Sequence, residues 1–166
     1  DGVLQRGSGL TMIRRGKFID SFRYAAQGFW AAVREERNMR FHLCAAFYVY
    51  LFSLFYNFSK TEYILITLMV CGVIALELVN SSIERTVERP SPDRYLTAGA
   101  VKDMAAAAVL IFSIGSAVCG VLLFWNVPVF LRILSFGLAH PLLCVLLAAS
   151  LVGAYRFIFH FKKGDR

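Results

Sequence analysis

Glu77, Asn80 and Glu84 put two carboxylates and an amide into the end of an apolar run, in the stretch LELVNSSIERTVE at positions 76–88. Their spacing of i, i+3 and i+7 places all of them on one face of a helix. Ionisable groups inside a membrane-type segment are costly, so they usually face a protein interior or a wet cavity and mark function. A helix rises about 1.5 Å per residue, so the two glutamates stand roughly 10 Å apart along its axis and cannot easily ligate one ion. Two different roles are therefore expected, with Glu77 deeper, within reach of the hydroxyl of a lipid lying in the leaflet, and Glu84 nearer the membrane surface.

A hard cation such as Mg²⁺ takes oxygen ligands, typically one or two carboxylates together with substrate phosphates. Glu84 is one such ligand, and Glu36 is expected at the same membrane depth. Lys102 and Asp103 open a later apolar segment from the same side and would add a cation for phosphate and a further acceptor. Taken singly, these residues also read as solvated interfacial charges: Glu36 with Arg37 or Arg40, Glu84 with Arg85, Asp103 with Lys102. Glu77 has its own plain alternative, a buried glutamate kept for packing between helices.

The elements that must position these groups are those of a membrane protein. The 166 residues are 58% apolar and 14% aromatic, with a mean hydropathy of +0.59, well outside the range of a soluble domain. The net charge of +7 comes from basic residues that flank the apolar runs, which fits anionic head groups and the positive-inside pattern rather than nucleic acid. Residues 1–13 are expected to be a flexible tail or an expression remnant, with no apolar h-region of a signal peptide. Residues 14–34 repeat Phe18, Phe22, Ala25, Phe29 and Val33 at helical spacing among basic residues, which predicts an amphipathic helix on the membrane surface.

A charged collar, EERNMR (positions 35–40), precedes an aromatic-rich run over 41–56 of marginal spanning length. A short polar turn at 57–62 leads to a second span from 63 that continues helically to about Glu88, where Arg89-Pro90-Ser91-Pro92-Asp93 breaks the helix. Residues 104–125 are uncharged and long enough to cross alone. Asn126, Pro128 and Arg132 are read as a turn, and 133–161 as a fourth apolar segment with a kink at His140-Pro141, ending in Lys162-Lys163. Four spans place both termini on one side. The loop with Arg85, Arg89, Arg94 and Lys102 shares that side, and only Lys60 and Arg132 lie opposite, so the basic bias makes the termini cytoplasmic.

Other chemistries find no support. Gly16-Lys17 has Thr11 five positions before the glycine, so there is no phosphate-cradling P-loop. His42, His140 and His160 lack metal-ligand spacing. Cys44, Cys71, Cys119 and Cys144 lie in separate apolar runs and read as core or lipid-facing residues rather than disulfides.

Four motifs, SFRYAAQG (21–28), ERNMRFH (36–42), ALELVNSSIERTVE (75–88) and AVKDMAAAAVL (100–110), make the chain resemble the small integral-membrane prokaryotic lipid kinases, the diacylglycerol kinase and undecaprenol kinase family. The similarity runs over about 17–124. It implies an all-α membrane protein with an N-terminal amphipathic surface helix and three transmembrane helices of the family type. The fourth C-terminal transmembrane helix is an addition. It divides the chain into a tail (1–13), a kinase domain (14–125) and an extra helix with a basic cytoplasmic tail (126–166).

By the same resemblance, Glu77 is the general base for the lipid hydroxyl, with Glu77 and Asn80 at the lipid substrate. Glu36 and Glu84 are Mg²⁺ ligands, and Lys17, Glu36, Asn80, Glu84, Lys102 and Asp103 meet ATP. A homotrimer in the bacterial inner membrane is implied, with active sites between subunits facing the cytoplasm and MgATP as phosphate donor. The motifs ERNMRFH and SFRYA look more like the undecaprenol branch than the diacylglycerol branch. Two positions depart from the family pattern: Glu88 replaces an aspartate, and Tyr95 stands where a histidine is usual. A small proton-coupled exporter and a non-enzymatic scaffold are the competing classes. The exporter needs its acid near the bilayer midplane, whereas these acids gather at the expected cytoplasmic ends.

Overall fold

The computed structural model describes the backbone of residues 9–87 and 95–161 and the side chains of 18–87 and 97–161. Among these residues helix is the sole regular secondary structure, with α1 (Gly9–Glu35), α2 (Arg37–Ser53), α3 (Lys60–Val87), α4 (Tyr95–Phe124), α5 (Val127–Ala139) and α6 (Pro141–Phe159). The expected contacts or departures at Lys17, Glu88, Arg89, Arg94, Tyr95 and Lys162-Lys163 lie outside the described side chains, and residues 1–8 lie outside the described chain. The first helix starts at Gly9, within the stretch expected to be tail.

α3, α4 and α6 are long and apolar enough to cross a membrane. With 17 residues, α2 rises about 25 Å, just short of the ~30 Å hydrocarbon core, so it spans only with its flanking residues. This matches the marginal length read from its sequence. Outward-facing Leu68, Leu110, Ile111, Leu122 and Leu146 are all more than half exposed, as expected where the solvent is lipid and apolar side chains gain nothing by leaving it.

Each turn has a local cause. Glu36 is the sole residue between α1 and α2, and its extended backbone (φ −101°, ψ 120°) makes the elbow between them. At the other end of α2, Tyr56 stacks on Phe58 at 4.9 Å. Tyr56 also donates its hydroxyl to the Phe124 carbonyl at 2.8 Å, satisfying an otherwise open acceptor at the end of α4. α3 opens on a capping box, the Ser59 amide donating to Glu62 Oε2 at 2.7 Å and the Glu62 amide to Ser59 Oγ at 3.3 Å, so that both orphan donors are met. α3 and α4 then approach closely at Gly72, where a Cβ would collide with the ring of Phe112.

The C-terminal segment differs from expectation. Asn126 accepts from the Val129 amide at 3.2 Å as an N-cap, and Pro128 falls in the first turn of α5, where the missing N–H costs nothing. The proline thus starts a helix instead of marking a loop, and Arg132 is on α5. The break falls at His140 (φ −128°, ψ 67°), since Pro141 disfavours helical backbone before it. There the imidazole stacks on Phe136 at 4.3 Å. The single apolar segment expected over 133–161 is therefore two helices, of which α5 is too short to cross.

The contacts give the order of the crossings. Phe136 of α5 meets Phe55 beyond the end of α2 at 5.3 Å between ring centroids, and Tyr48 of α2 shares a 3.1 Å hydrogen bond with Ser150 of α6. The C-terminal end of α6 returns to the elbow, where Phe157 packs against a buried core of Ala32, Val33 and Met39, joined by Phe29, Leu43, Ile74 and Leu78. Four helix runs thus alternate between the elbow end and the opposite end.

Candidate active site

The face predicted on α3 is buried. Glu77 is only 1% exposed, Asn80 6% and Ser81 3%, and Glu84 lies one turn further on, half-buried. Asn80 Nδ2 donates to Glu84 Oε1 in a long contact of 3.5 Å. Glu77 Oε2, Asn80 Oδ1 and Ser81 Oγ have no hydrogen-bond partner among the described residues. Orphaned buried oxygens cost about 1–3 kcal/mol each; Ser113 and Ser116 of α4 carry two more, so what distinguishes the α3 face is the carboxylate among them.

The elbow brings the third carboxylate. Glu36 and Glu84 both lie within electrostatic range of Glu77, their charges repelling its carboxylate. The elbow is tied to α3 by Arg85, whose Nη2 lies 3.3 Å from Glu35 Oε2. Spacing alone joined Glu77, Asn80 and Glu84. The fold adds Glu36 within one chain, across a helix boundary.

Carboxylates crowded in a poorly hydrated place are unstable unless a cation joins them. The donor set here is oxygen only, which suits a hard divalent ion such as Mg²⁺. Among the described residues no group of three or more His, Cys, Asp or Glu side chains forms a self-sufficient metal cage. The donors present therefore fit a cation that arrives with phosphate oxygens to complete its shell.

Two of the basic neighbours read as plain partners for these charges are engaged elsewhere. Arg85 pairs with Glu35 rather than Glu84. Arg40 is 7% exposed and spends its guanidinium on main-chain carbonyls: Nη1 donates to Val33 at 3.0 Å and Arg34 at 3.1 Å, and Nε and Nη2 to Ile158 at 3.3 and 3.2 Å. Lys102 and Asp103 are exposed on the first turns of α4, and no hydrogen bond or ion pair among the described residues links them to the Glu77 face. Ser81 and Arg40 were missed from the sequence. The position of Ser81, four residues after Glu77, already put it on the buried face; nothing local marked Arg40, because its acceptor at Ile158 lies 118 residues away.

An apolar groove of about 480 Å³ runs between α2, α3 and α4, lined among others by His42, Val49, Ile66, Val73 and Ser116. Its lining reaches Val73, one helical turn short of Glu77 on α3.

The known proteins to which the chain is similar are lipid kinases. The family model described as prokaryotic diacylglycerol kinase matches residues 23–124. The chain is 38% identical over 108 residues to the undecaprenol kinase of Bacillus subtilis (strain 168), covering 65% of this chain and 88% of that one. It is 33% identical over 108 residues to the diacylglycerol kinase of Haemophilus influenzae, covering 65% and 87% respectively. A diacylglycerol kinase of Synechocystis is 31% identical over 101 residues, 60% of this chain and 58% of the relative. No solved structure matches the chain. With its multi-pass helices, its buried acidic face and a family match over most of its length, the chain belongs to the prokaryotic diacylglycerol kinase family of membrane lipid kinases.

Proposed function

We propose that the protein transfers the γ-phosphate of MgATP to a polyprenol alcohol of the undecaprenol type, at the cytoplasmic face of a bacterial inner membrane. The observation that carries this reading is the burial of Glu77, with Oε2 unpartnered, beside Asn80 and within range of Glu36 and Glu84. Glu77 accepts the hydroxyl proton as the lipid oxygen forms its bond to the γ-phosphorus and the bond from that phosphorus to the β–γ bridging oxygen breaks. Transfers of this kind depend mainly on positioning and charge neutralisation.

Glu36 and Glu84 hold the metal, which when bound neutralises charge on the phosphates. Asn80 steadies Glu84 and, with Glu77, faces the lipid head. Lys102 and Asp103, exposed at the start of α4, meet the nucleotide phosphates, as does Lys17. The groove that reaches Val73 gives an apolar chain a berth one helical turn from the base. A homotrimer, as the family resemblance implies, would cover the outward apolar faces of the helices.

The choice of undecaprenol rests on the name of the relative with 38% identity and on the motifs ERNMRFH and SFRYA. The family description and the 33% relative favour diacylglycerol as the alternative acceptor. Labelled phosphate transfer to each lipid in mixed micelles separates them: undecaprenol should be the faster acceptor, and clearly faster diacylglycerol phosphorylation would reverse the assignment.

A further inference from the structure

The added helix does more at its C-terminal end than cross the membrane. Three alternate aromatic residues there meet the elbow. Phe157 packs on Ala32, Val33 and Met39, the Phe159 ring lies 5.7 Å from the Arg37 guanidinium carbon, and the Phe161 ring lies 5.6 Å from that of Arg40. The Ile158 carbonyl between them accepts from both Nε and Nη2 of Arg40.

Arg40 uses its remaining reach on the Val33 and Arg34 carbonyls. These are last-turn carbonyls of α1, and Ile158 belongs to the last turn of α6, so one buried guanidinium serves the negative ends of two helices. Glu36 sits between the parts thus clamped, with Val33 and Arg34 before it and Arg40 itself in the first turn after it. This bridge and the Arg85–Glu35 ion pair hold the elbow carrying Glu36 against α6 and α3. A lysine cannot replace Arg40, since an ammonium on a flexible stem lacks the planar fork that reaches three carbonyls together.

We infer that α6 is a positioning element of the phosphoryl-transfer site: through its Ile158 carbonyl it fixes Arg40, and Arg40 fixes the elbow that presents Glu36 to the metal. The family match ends at residue 124, so α6 lies outside the matched region. The inference rests on the assignment of Glu36 as a metal ligand in a MgATP-dependent kinase. Its signature is a weaker apparent affinity for Mg²⁺ rather than a uniform loss of activity.

The test is the Mg²⁺ dependence of ATP-driven lipid phosphorylation by the purified full-length protein. Arg40→Lys should raise the apparent KM for Mg²⁺ about tenfold, equivalent to about 1.4 kcal/mol, with a smaller change in kcat. Phe161→Ala removes a ring that lies beside the guanidinium and edge-on to Phe157 at 5.4 Å, at a residue already 40% exposed, and should raise the same KM two- to threefold in a protein that folds normally. Tyr48→Phe breaks the contact to Ser150 further along α6, away from the elbow, and should leave it unchanged. A wild-type Mg²⁺ KM in Phe161→Ala and in folded Arg40→Lys overturns the inference. If Arg40→Lys does not fold, Phe161→Ala decides alone. Wild-type protein without any Mg²⁺-dependent lipid phosphorylation would instead remove the kinase reading on which the inference stands.

Discussion

Replacing Glu77 by glutamine changes almost nothing but charge and basicity. The side chain keeps its length and shape in a site where Glu77 is 1% exposed, so no cavity is created. The repulsion from Glu36 and Glu84 disappears, and the new amide gains two donors beside the unpartnered Asn80 Oδ1. Folded stability should therefore be equal to or greater than that of the wild type. Activity should move the other way, because a positioned general base contributes about 10²–10⁴-fold. A loss of at least 10² in kcat corresponds to about 2.7 kcal/mol of transition-state stabilisation. Two measurements on one preparation decide the matter: thermal denaturation in detergent, and ATP turnover coupled to lipid phosphorylation in mixed micelles. A variant that melts at or above the wild-type temperature but has lost turnover fits the assigned role. Turnover within threefold of wild type would refute Glu77 as the base. A marked fall in melting temperature would instead show that the carboxylate holds the helices together, the packing role that its sequence position also allowed.

Two further perturbations probe the metal ligands and the scaffold. Glu84→Gln should raise the KM for Mg²⁺ at least tenfold with binding of lipid unchanged, and a wild-type Mg²⁺ titration would remove Glu84 from the ligand set. Gly72→Leu should destabilise the protein by about 1–3 kcal/mol, the usual cost of overpacking, because its side chain must displace the Phe112 ring. Combined with Phe112→Ala the loss should be clearly less than additive, and strict additivity in thermal or denaturant unfolding would show that the two do not meet.

Much of this architecture is local and could be read in order along the chain. The apolar runs, the broken backbone at Pro141 and the shared face of Glu77, Asn80 and Glu84 follow from hydropathy, proline stereochemistry and the 3.6-residue period. Reading Pro128 as part of a turn failed for a local reason too: a proline one residue into a helix and a proline that stops one have the same composition, and only the Asn126 cap tells them apart. Non-local contacts were less accessible. Arg85 stood next to Glu84 in sequence yet pairs with Glu35, because neighbours on a helix point about 100° apart while residues on facing helices can meet.

The sequence by itself determined that this is a multi-pass helical membrane protein of a lipid kinase family, with one polar face on its second span. Periodicity, span length and motif are all properties of short segments, and each is imposed by backbone geometry or by the thickness of a bilayer. Tertiary structure alone decided that Glu36 comes within electrostatic range of Glu77 in one chain, and that Arg40 holds the Ile158 carbonyl of the added helix. Those choices depend on how helices pack across long loops of chain, where a buried guanidinium takes whichever acceptors the fold puts within 3 Å or so.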